Sequence, residues 1–360
     1  MSMKRASFTQ YRYLAKFYTK KEYSALAAVG SASPILNLLL VLFVGISVGA
    51  GVMVSQYFGA RQREELSMTI GNCVTLTAIS SLIIMFLGAV LSRPLLEMLH
   101  TPDSIIDWCT SYLVILMVGC MGSAYYNILC GILRGLGDSI SALIYLLVAT
   151  VLNIILDIVF VSRFQMGVAG VAYATVIAQA VSAILCFWKL LRMTDIFDFK
   201  FRHLKMKKKY TLEIIRLGLP SGITQAIFSM AMVIVQSLTN SFGEMVIAAN
   251  VIIMRVDGFA MMPNFSFGTA MTTYAGQNVG AHRMDRVEQG ARQGTAIALG
   301  TSAVITLLIL VFGKNLMAIF TDTSELVTLS ANMMKILAVG YLAMAITQSL
   351  SGVMRGAGDT

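Results

Sequence analysis

The sequence predicts an all-α, polytopic membrane bundle built from two copies of one helical unit, and three observations carry this prediction. Hydrophobic residues make up 57% of the chain and charged residues only 12%, about half the charged fraction of an average soluble domain. Apolar stretches of about 20 residues recur along the chain, and each can cross a hydrocarbon core as a helix. One short motif also occurs twice.

The repeated motif runs from Gly131 to Ser139 and returns from Gly352 to Thr360, each time around the pattern Arg-Gly-x-Gly-Asp. The two copies start 221 residues apart. The same offset applied upstream also aligns identical residues: Gln56 with Gln277, Gly59 with Gly280, and Ala60 with Ala281. A period far above the roughly 20–50 residues of solenoid repeats indicates a duplicated domain.

Composition also limits the class of protein. Lipid offers no hydrogen bonds to an exposed backbone, so helices are predicted here instead of short alternating strands. The net charge of +9 is typical of a membrane protein with cytoplasmic basic loops, and it does not predict nucleic-acid binding. The five cysteines lie inside apolar spans without metal-type spacing, so they are predicted to be core residues without disulfides.

A polar, basic leader is predicted at 1–23, followed by nine membrane spans. The spans are predicted at 25–57, 67–92, 105–133, 139–161, 167–192, 213–242, 245–277, 289–313 and 326–354. The seventh span contains Pro263, which lacks a backbone donor and therefore predicts a kink.

A basic segment at 193–212 separates an N-terminal lobe at 24–192 from a C-terminal lobe at 213–360. Its lysines and arginines place it in the cytoplasm by the positive-inside rule. Six spans separate matched positions of the two lobes, and an even number keeps the orientation, so the lobes are predicted to be parallel repeats. Such paired lobes normally hold a central cavity that opens alternately to each side of the membrane.

The repeating unit is predicted to contain six helices, which makes the pattern two parallel six-helix repeats. The offset leaves no room before residue 24 for a partner of the span at 213–242. It also leaves no sequence for partners of the spans at 139–161 and 167–192. We therefore expect a chain truncated at both ends, with the first helix of lobe one and the last two of lobe two missing. A natural protein of nine spans is the alternative.

Two of the 18 acidic residues, Asp157 and Asp257, lie well inside apolar sequence. A carboxylate within a membrane is costly and is a functional hypothesis by default. Asn153 precedes Asp157 by one helical turn, so both lie on one helix face and can share a proton or a hard cation through oxygen ligands. Thr175 offers a hydroxyl on the next span. A structural hydrogen bond between helices is the alternative role of Asp157.

Other polar residues are candidates for lining a substrate cavity. Asp257 follows Arg255 by two positions, so the two side chains point to different faces, and a bundle-stabilising charge is as good an interpretation as a substrate contact. Several glutamines and asparagines also lie in or near spans. Gln179 belongs to this set; most of its members are expected to form hydrogen bonds between helices, and some to line the cavity. The cavity candidates among them are Gln56, Gln225 and Gln277.

No motif of an enzyme or of a nucleotide-driven pump is found. The histidines His100, His203 and His282 are isolated and near loops, so neither a metal site nor a catalytic triad is predicted. The Arg-Gly-x-Gly-Asp motif lacks the length, the preceding strand and the Lys-Ser/Thr ending of a phosphate-binding loop. Termination of a helix by glycine explains it better. We expect neither an enzyme nor a bound cofactor or metal.

Together these features resemble the multidrug and toxic compound extrusion (MATE) family of antiporters. The resemblance covers about 22–360. It is carried by residues 25–30, by the helix ends Gln56-Tyr-Phe-Gly-Ala60 and Gln277-Asn-Val-Gly-Ala281, by both Arg-Gly-x-Gly-Asp turns, and by Asn153-x-x-x-Asp157 followed by Thr175. The resemblance implies a secondary active exporter of amphipathic, often cationic compounds, driven by inward flow of H+ or Na+ through alternating access.

The resemblance also implies a cation site. Asn153, Asp157 and Thr175 match the ligands that the family uses in its first lobe, and a further aspartate belongs to the first helix, which is missing here. The expected location is the cytoplasmic (inner) cell membrane. The expected partners are small molecules and the lipid bilayer, with neither nucleic acid nor an obligate protein partner.

Two alternatives stay open. One is a lipid-linked saccharide flippase of the same superfamily, whose cavity would carry several cations. The other is a non-transporting remnant.

Overall fold

The structure is a computed structural model that describes residues 36, 41, 43–98 and 101–359. Throughout these ranges the regular secondary structure is helical. The helices are α1 (Phe43–Gly59), α2 (Arg63–Met98), α3 (Asp103–Val118), α4 (Cys120–Gly135), α5 (Ser139–Ile158), α6 (Gly167–Leu191), α7 (Lys208–Asn240), α8 (Glu244–Ala260), α9 (Met262–Gly280), α10 (Met284–Ala318) and α11 (Ser324–Ala357). The predicted leader at 1–23 and the predicted first span before Phe43, apart from residues 36 and 41, lie outside the described residues.

Length and composition support membrane crossing. Within the described residues, seven helical segments are long and apolar enough to span a bilayer, and the bent pair α3 and α4 raises the number to eight if it forms one span. The predicted polytopic helical bundle is therefore confirmed. The agreement is close because an apolar run of about 20 residues has few alternatives to a helix in lipid.

The span predicted at 105–133 is not one continuous helix in the structure. The structure breaks it at Gly119 into α3 and α4, whose axes differ by 48°. A Cβ atom at Gly119 would collide with the side chain of Val176 on α6. The close approach of α6 thus coincides with the break.

The structure interrupts the predicted seventh span slightly before Pro263. Helix α8 ends at Ala260, α9 begins at Met262, and Met261 separates them. Pro263 lies in the first turn of α9. Backbone N–H groups in the first turn of a helix have no carbonyl acceptor within that helix. The proline, which lacks an N–H, therefore loses no hydrogen bond there and is well tolerated.

The contacts divide the chain into two compact units. The first unit contains the described residues up to Val54 together with Gln62–Gly222. In this unit α6 packs against α3, α4 and α5, and α2 packs against α3 and α4. Its apolar core includes Phe43, Leu113 and Ala124.

The second unit contains Ser55–Arg61 and Ile223–Thr360. Here α11 packs against α8, α9 and α10. Its apolar core includes Ile253, Ile309 and Met334. The lobe boundaries inferred from the sequence stay predictions.

The basic linker folds back onto α2 within the first unit. The Arg63 guanidinium donates to the backbone oxygens of Thr194 and Asp195 and forms an ion pair with Asp198 at 3.1 Å. The hydrogen bond from this guanidinium holds the pKa of the Asp198 carboxyl below its usual range. Further along, Thr75 Oγ1 donates to the backbone oxygen of Leu204 at 2.7 Å. The segment is therefore attached to one helix through both backbone and side-chain groups.

Buried contacts strengthen this attachment. His203 is fully buried, and its Nδ1 lies 2.8 Å from the backbone oxygen of Asp198. A Cβ atom at Gly71 of α2 would collide with the backbone of His203. Arg202 pairs with Glu64 at 2.9 Å, and Lys209 pairs with Glu65 at 3.2 Å. Part of the positive charge of the linker is thus neutralised by α2.

The duplication recurs in the backbone with the same offset of 221 residues. Helices α2 and α10 begin at matched positions, as do α3 and α11. The residues with a left-handed backbone before these helices also match: Arg61 has a φ of 56° and His282 a φ of 55°. Both Arg-Gly-x-Gly-Asp turns end in the same way, since Gly137 and Gly358 have φ angles of 90° and 94°.

The hydrogen bonds of these two turns match as well. The N–H groups of Gly137 and Gly358 donate to the carbonyls of Arg134 and Arg355. The N–H groups of Asp138 and Asp359 donate to those of Leu133 and Met354. Glycine adopts this left-handed conformation without a Cβ penalty, so the motif is a helix stop, as predicted.

Candidate cation-binding site

Helix α5 positions the candidate site, and its start is fixed by Asp138. The Asp138 carboxylate accepts a hydrogen bond from the backbone N–H of Ser141 at 3.0 Å, which caps the helix. It also lies 3.2 Å from Lys189 Nζ near the end of α6. Burial raises the pKa of Asp138, but the hydrogen bonds from Ser141 and Lys189 outweigh burial and hold it below its usual value. The carboxylate thus joins the start of α5 to the end of α6.

Asp157 faces the protein interior. Its exposed fraction is 6%, and it shares the buried face of α5 with Ala142 and Ala149. Large side chains on the other faces, such as Ile144 and Val151, are exposed as expected for contact with lipid. A buried carboxylate on such a helix is costly unless it binds a proton, a cation or a donor.

Asn153 and Thr175 meet across the α5 and α6 interface, as their positions in the sequence predicted. Asn153 Nδ2 donates to Thr175 Oγ1 at 3.4 Å. Thr175 Oγ1 donates in turn to the backbone oxygen of Val171 at 3.0 Å. The structure therefore places an amide, a hydroxyl and, one turn along α5, a buried carboxylate on one helix pair. Their role in cation binding stays a prediction.

Asp257 belongs to a different polar cluster, in the second unit. Its carboxylate accepts a hydrogen bond from Tyr341 Oη at 2.8 Å. Asn264 Nδ2 donates to the backbone oxygen of Tyr341, and Asn264 Oδ1 accepts from Ser302 Oγ at 2.7 Å. Asn264, Ser302 and Tyr341 are all buried. The nearby Arg255 is half-buried. These contacts favour the bundle-stabilising interpretation of Asp257.

The cavity candidates among the glutamines are dispersed. Gln56 Nε2 donates to the backbone oxygen of Gly356 at 2.9 Å, which joins the end of α1 to the end of α11. Gln277 is half-buried on α9, whereas Gln225 is exposed on α7. A Cβ atom at Gly59 would collide with the backbone oxygen of Gln277, and one at Gly280 with that of Gln56. Positions matched by the repeat thus contact each other reciprocally.

Several residues were not singled out by sequence reasoning. Gln179 lies one turn after Thr175 on α6, and its Oε1 is buried without a hydrogen-bond partner among the described residues. Its spacing of four residues from Thr175 places both on one face of the helix, and this spacing could have indicated Gln179 in the sequence. The sulfur atoms of Cys130 and Cys186 lie 3.7 Å apart, and both thiols are buried. They are 56 residues apart in the sequence, and no periodic pattern over that distance could have predicted their contact.

The described residues contain no group of three or more histidine, cysteine or acidic side chains arranged to hold a metal ion. The candidate site therefore consists of oxygen atoms around a single carboxylate. Such a set suits a proton or a small hard cation.

Comparisons with known proteins place this geometry in context. The model of the MatE family matches residues 17–159 and 220–360. The probable multidrug resistance protein YpnP of Bacillus subtilis is 30% identical over 334 residues, which cover 93% of this chain and 75% of that protein. The probable multidrug resistance protein YoeA of the same organism is 29% identical over 341 residues, covering 93% of this chain and 74% of YoeA.

Solved structures share the fold. An outward-facing conformation of a multidrug resistance MATE family transporter aligns with a TM-score of 0.89 over 98% of this chain and 78% of that chain, at 22% identity. A MATE crystal structure in a straight conformation aligns with a TM-score of 0.90 over 99% of this chain and 79% of that chain, at 22% identity. These likenesses concern the fold alone.

Proposed function

Because the chain belongs to the MatE family, we propose that it is a secondary active efflux transporter that exports amphipathic, often cationic compounds in exchange for H+ or Na+. Members of this family are transporters and not enzymes. The names of the relatives YpnP and YoeA, both described as probable multidrug resistance proteins, support an export function. The proposed location is the cell membrane, where the protein is multi-pass. The proposed lobes are 24–192 and 213–360, joined by the linker at 193–212.

The observation that carries the proposal is the burial of Asp157 beside the Asn153 and Thr175 pair. Asp157 is 6% exposed on a mostly apolar helix, and the amide and hydroxyl lie on the interface of α5 with α6. An ionised carboxylate in such surroundings is strongly disfavoured unless a cation neutralises it. A transmembrane gradient of that cation can therefore change the charge of this helix pair.

The chain's own residues have distinct tasks in this mechanism. Asp157 supplies the charge, while Asn153 and Thr175 supply neutral oxygen atoms that fix the position of the cation. Binding of the cation favours one packing of α5 and α6, and its release favours another. The transporter alternates between two faces of the membrane if substrate binding prefers the second packing, since a ligand shifts an equilibrium only by its differential affinity.

Replacement of Asp157 by asparagine tests the proposal. Asp157→Asn keeps the shape and removes the charge, so we expect gradient-driven efflux of ethidium from cells that contain the intact protein to be abolished. Asp107→Asn is the matched control, because Asp107 is an exposed carboxylate with a 78% exposed side chain. It should leave efflux unchanged. Ethidium fluorescence in de-energised and re-energised cells measures the rate.

Folding is checked by size-exclusion chromatography of each variant in detergent. A folded Asp157→Asn variant that still exports ethidium at the wild-type rate would remove Asp157 from the mechanism. Transport of a labelled lipid-linked saccharide in place of ethidium by the wild type would instead favour a flippase.

A further inference from the structure

We propose that Gln179 supplies an oxygen ligand for Na+ on its path between Asp157 and the end of α5 and α6 that faces the basic linker. The inference rests on the proposed cation coupling, and it names the ion and a further residue. Three features of the first unit carry it: the register of the two helices, the environment of Gln179, and the chemistry of the groups in the same row.

Two hydrogen bonds fix the register of the antiparallel helices. Asn153 on α5 lies opposite Thr175 on α6, with 3.4 Å between Nδ2 and Oγ1. Further along the pair, Ser182 Oγ donates to the backbone oxygen of Tyr145 at 2.5 Å. One helix therefore advances by about as many residues as the other retreats, which places Gln179 at the level of Ala149.

The side-chain oxygen of Gln179, which is a hydrogen-bond acceptor, faces the protein interior. Its Oε1 is buried and finds no donor within the part of the chain that the structure describes. Ala149, at the same level of α5, is 4% exposed and has only a methyl group. A buried amide oxygen without a donor is unfavourable. A hydrogen-bond donor or a cation that binds at this position removes the free-energy cost of the unsatisfied oxygen.

The polar groups of this interface form one row. Asp157 stands at one level, Asn153 and Thr175 at the next, Gln179 at the third, and Ser182 at the fourth. Successive levels differ by three or four residues, or about 5–6 Å along the helix axis. We define these five residues as the polar row. Asp157 lies near the end of α5 that is joined to α6, and Ser182 is nearer the linker.

The chemistry of the row favours Na+ over H+. Amide and hydroxyl oxygens replace the water molecules of a small metal cation, since they are neutral, hard ligands. A neutral amide neither takes up nor releases a proton near neutral pH. H+ would therefore need a separate chain of water molecules, whereas Na+ can be held by the side chains themselves.

The replacement Gln179→Leu separates this role from a purely structural one. If Oε1 is only an unsatisfied group, its removal stabilises the protein and leaves ion movement unchanged. If Oε1 binds Na+ in passage, its removal slows the ion even in a protein that is equally stable or more stable. The two interpretations therefore predict different combinations of protein stability and rate of Na+ exchange for Gln179→Leu.

The experiment measures binding and exchange of 22Na+ with the purified intact protein. For Gln179→Leu we expect exchange about tenfold slower than in the wild type, which corresponds to about 1.4 kcal/mol on the barrier. The dissociation constant should stay within about twofold, because Gln179 lies two turns away from Asp157. Thr150→Val is the matched control on α5, since the Thr150 hydroxyl donates to its own helix at the oxygen of Leu146. It should leave both quantities unchanged.

The outcomes discriminate between the proposals. Exchange at the wild-type rate in Gln179→Leu would overturn the role of Gln179, and so would a wild type that binds no 22Na+. Loss of 22Na+ binding in Asp157→Asn together with wild-type exchange in Gln179→Leu leaves the proposed function standing and removes only this inference. Normal 22Na+ binding by Asp157→Asn contradicts the proposed site itself, and this inference with it.

Discussion

Three positions of the first unit carry apolar or weakly polar side chains where the matched positions of the second carry polar ones. The pairs are Leu36 with Asp257, Phe43 with Asn264, and Cys120 with Tyr341. In the first unit all three side chains pack in one apolar cluster. In the second unit Tyr341 donates to Asp257, and Asn264 joins Ser302 to the backbone of Tyr341.

This difference between the two units bears on how a carboxylate in a membrane helix is interpreted. The duplicated backbone accepts either an apolar cluster or a polar one, provided that the polar groups bind each other. Asp257 is therefore explained by hydrogen bonding within its cluster. Asp157 shares a helix face with Asn153, whose amide donates to the Thr175 hydroxyl on α6. Both residues stand out in the sequence as acidic residues within apolar stretches, and we propose different roles for them because their neighbours differ.

The largest expected effect comes from emptying the apolar cluster. Phe43 is 1% exposed, so Phe43→Ala should lower the free energy of unfolding by about 3–5 kcal/mol. Its counterpart Asn264→Ala should cost about 1–3 kcal/mol, because it leaves the buried Ser302 hydroxyl without its acceptor. Unfolding of both variants in mixed micelles measures the difference. Equal losses at the two positions would mean that the two clusters do not differ as described.

A smaller effect is expected at a pair of matched glycines. Gly119 lies at the break between α3 and α4, where a Cβ atom would meet Val176, whereas Gly340 lies inside α11 with no described atom within 4 Å of such a Cβ. Gly119→Ala should destabilise by about 1–3 kcal/mol through overpacking. Gly340→Ala should be neutral or stabilise by up to about 1 kcal/mol, because alanine is the better helix former.

The double variant Gly119→Ala with Val176→Ala sharpens this comparison. It should recover part of the loss, since the smaller side chain makes room for the new methyl group, and the thermal midpoint in detergent reports it. Equal midpoints for Gly119→Ala and Gly340→Ala would show that contact with α6 does not explain the break.

These glycines also show what sequence can and cannot predict. Apolar length alone predicted the span at 139–161, and the structure has α5 at Ser139–Ile158 followed by one π-helical turn. The break at Gly119 could not be predicted, because Gly340 is also a glycine at the matched position and its helix continues. The contact that distinguishes Gly119 from Gly340 is with Val176, which is far away in the sequence.

The same limit applies to the site. The spacing of four between Asn153 and Asp157 predicted a shared face, and Thr175 was expected on the adjacent helix; the structure brings Asn153 and Thr175 together. The bond between Asp257 and Tyr341 joins residues 84 positions apart, and no periodicity links them. The linker was predicted from its charge, but its attachment to α2 could not be, because it consists of tertiary contacts such as the ion pairs with Glu64 and Glu65.

The different roles of Asp157 and Asp257 are tested by comparing the two carboxylates in one assay. The intact protein is reconstituted in liposomes, a Na+ or H+ gradient is imposed, and ethidium movement is followed in Asp157→Asn and Asp257→Asn. We expect Asp257→Asn still to respond to the gradient, since asparagine can accept the hydrogen bond from Tyr341, and Asp157→Asn not to respond. A response that persists in Asp157→Asn and disappears in Asp257→Asn would contradict these roles.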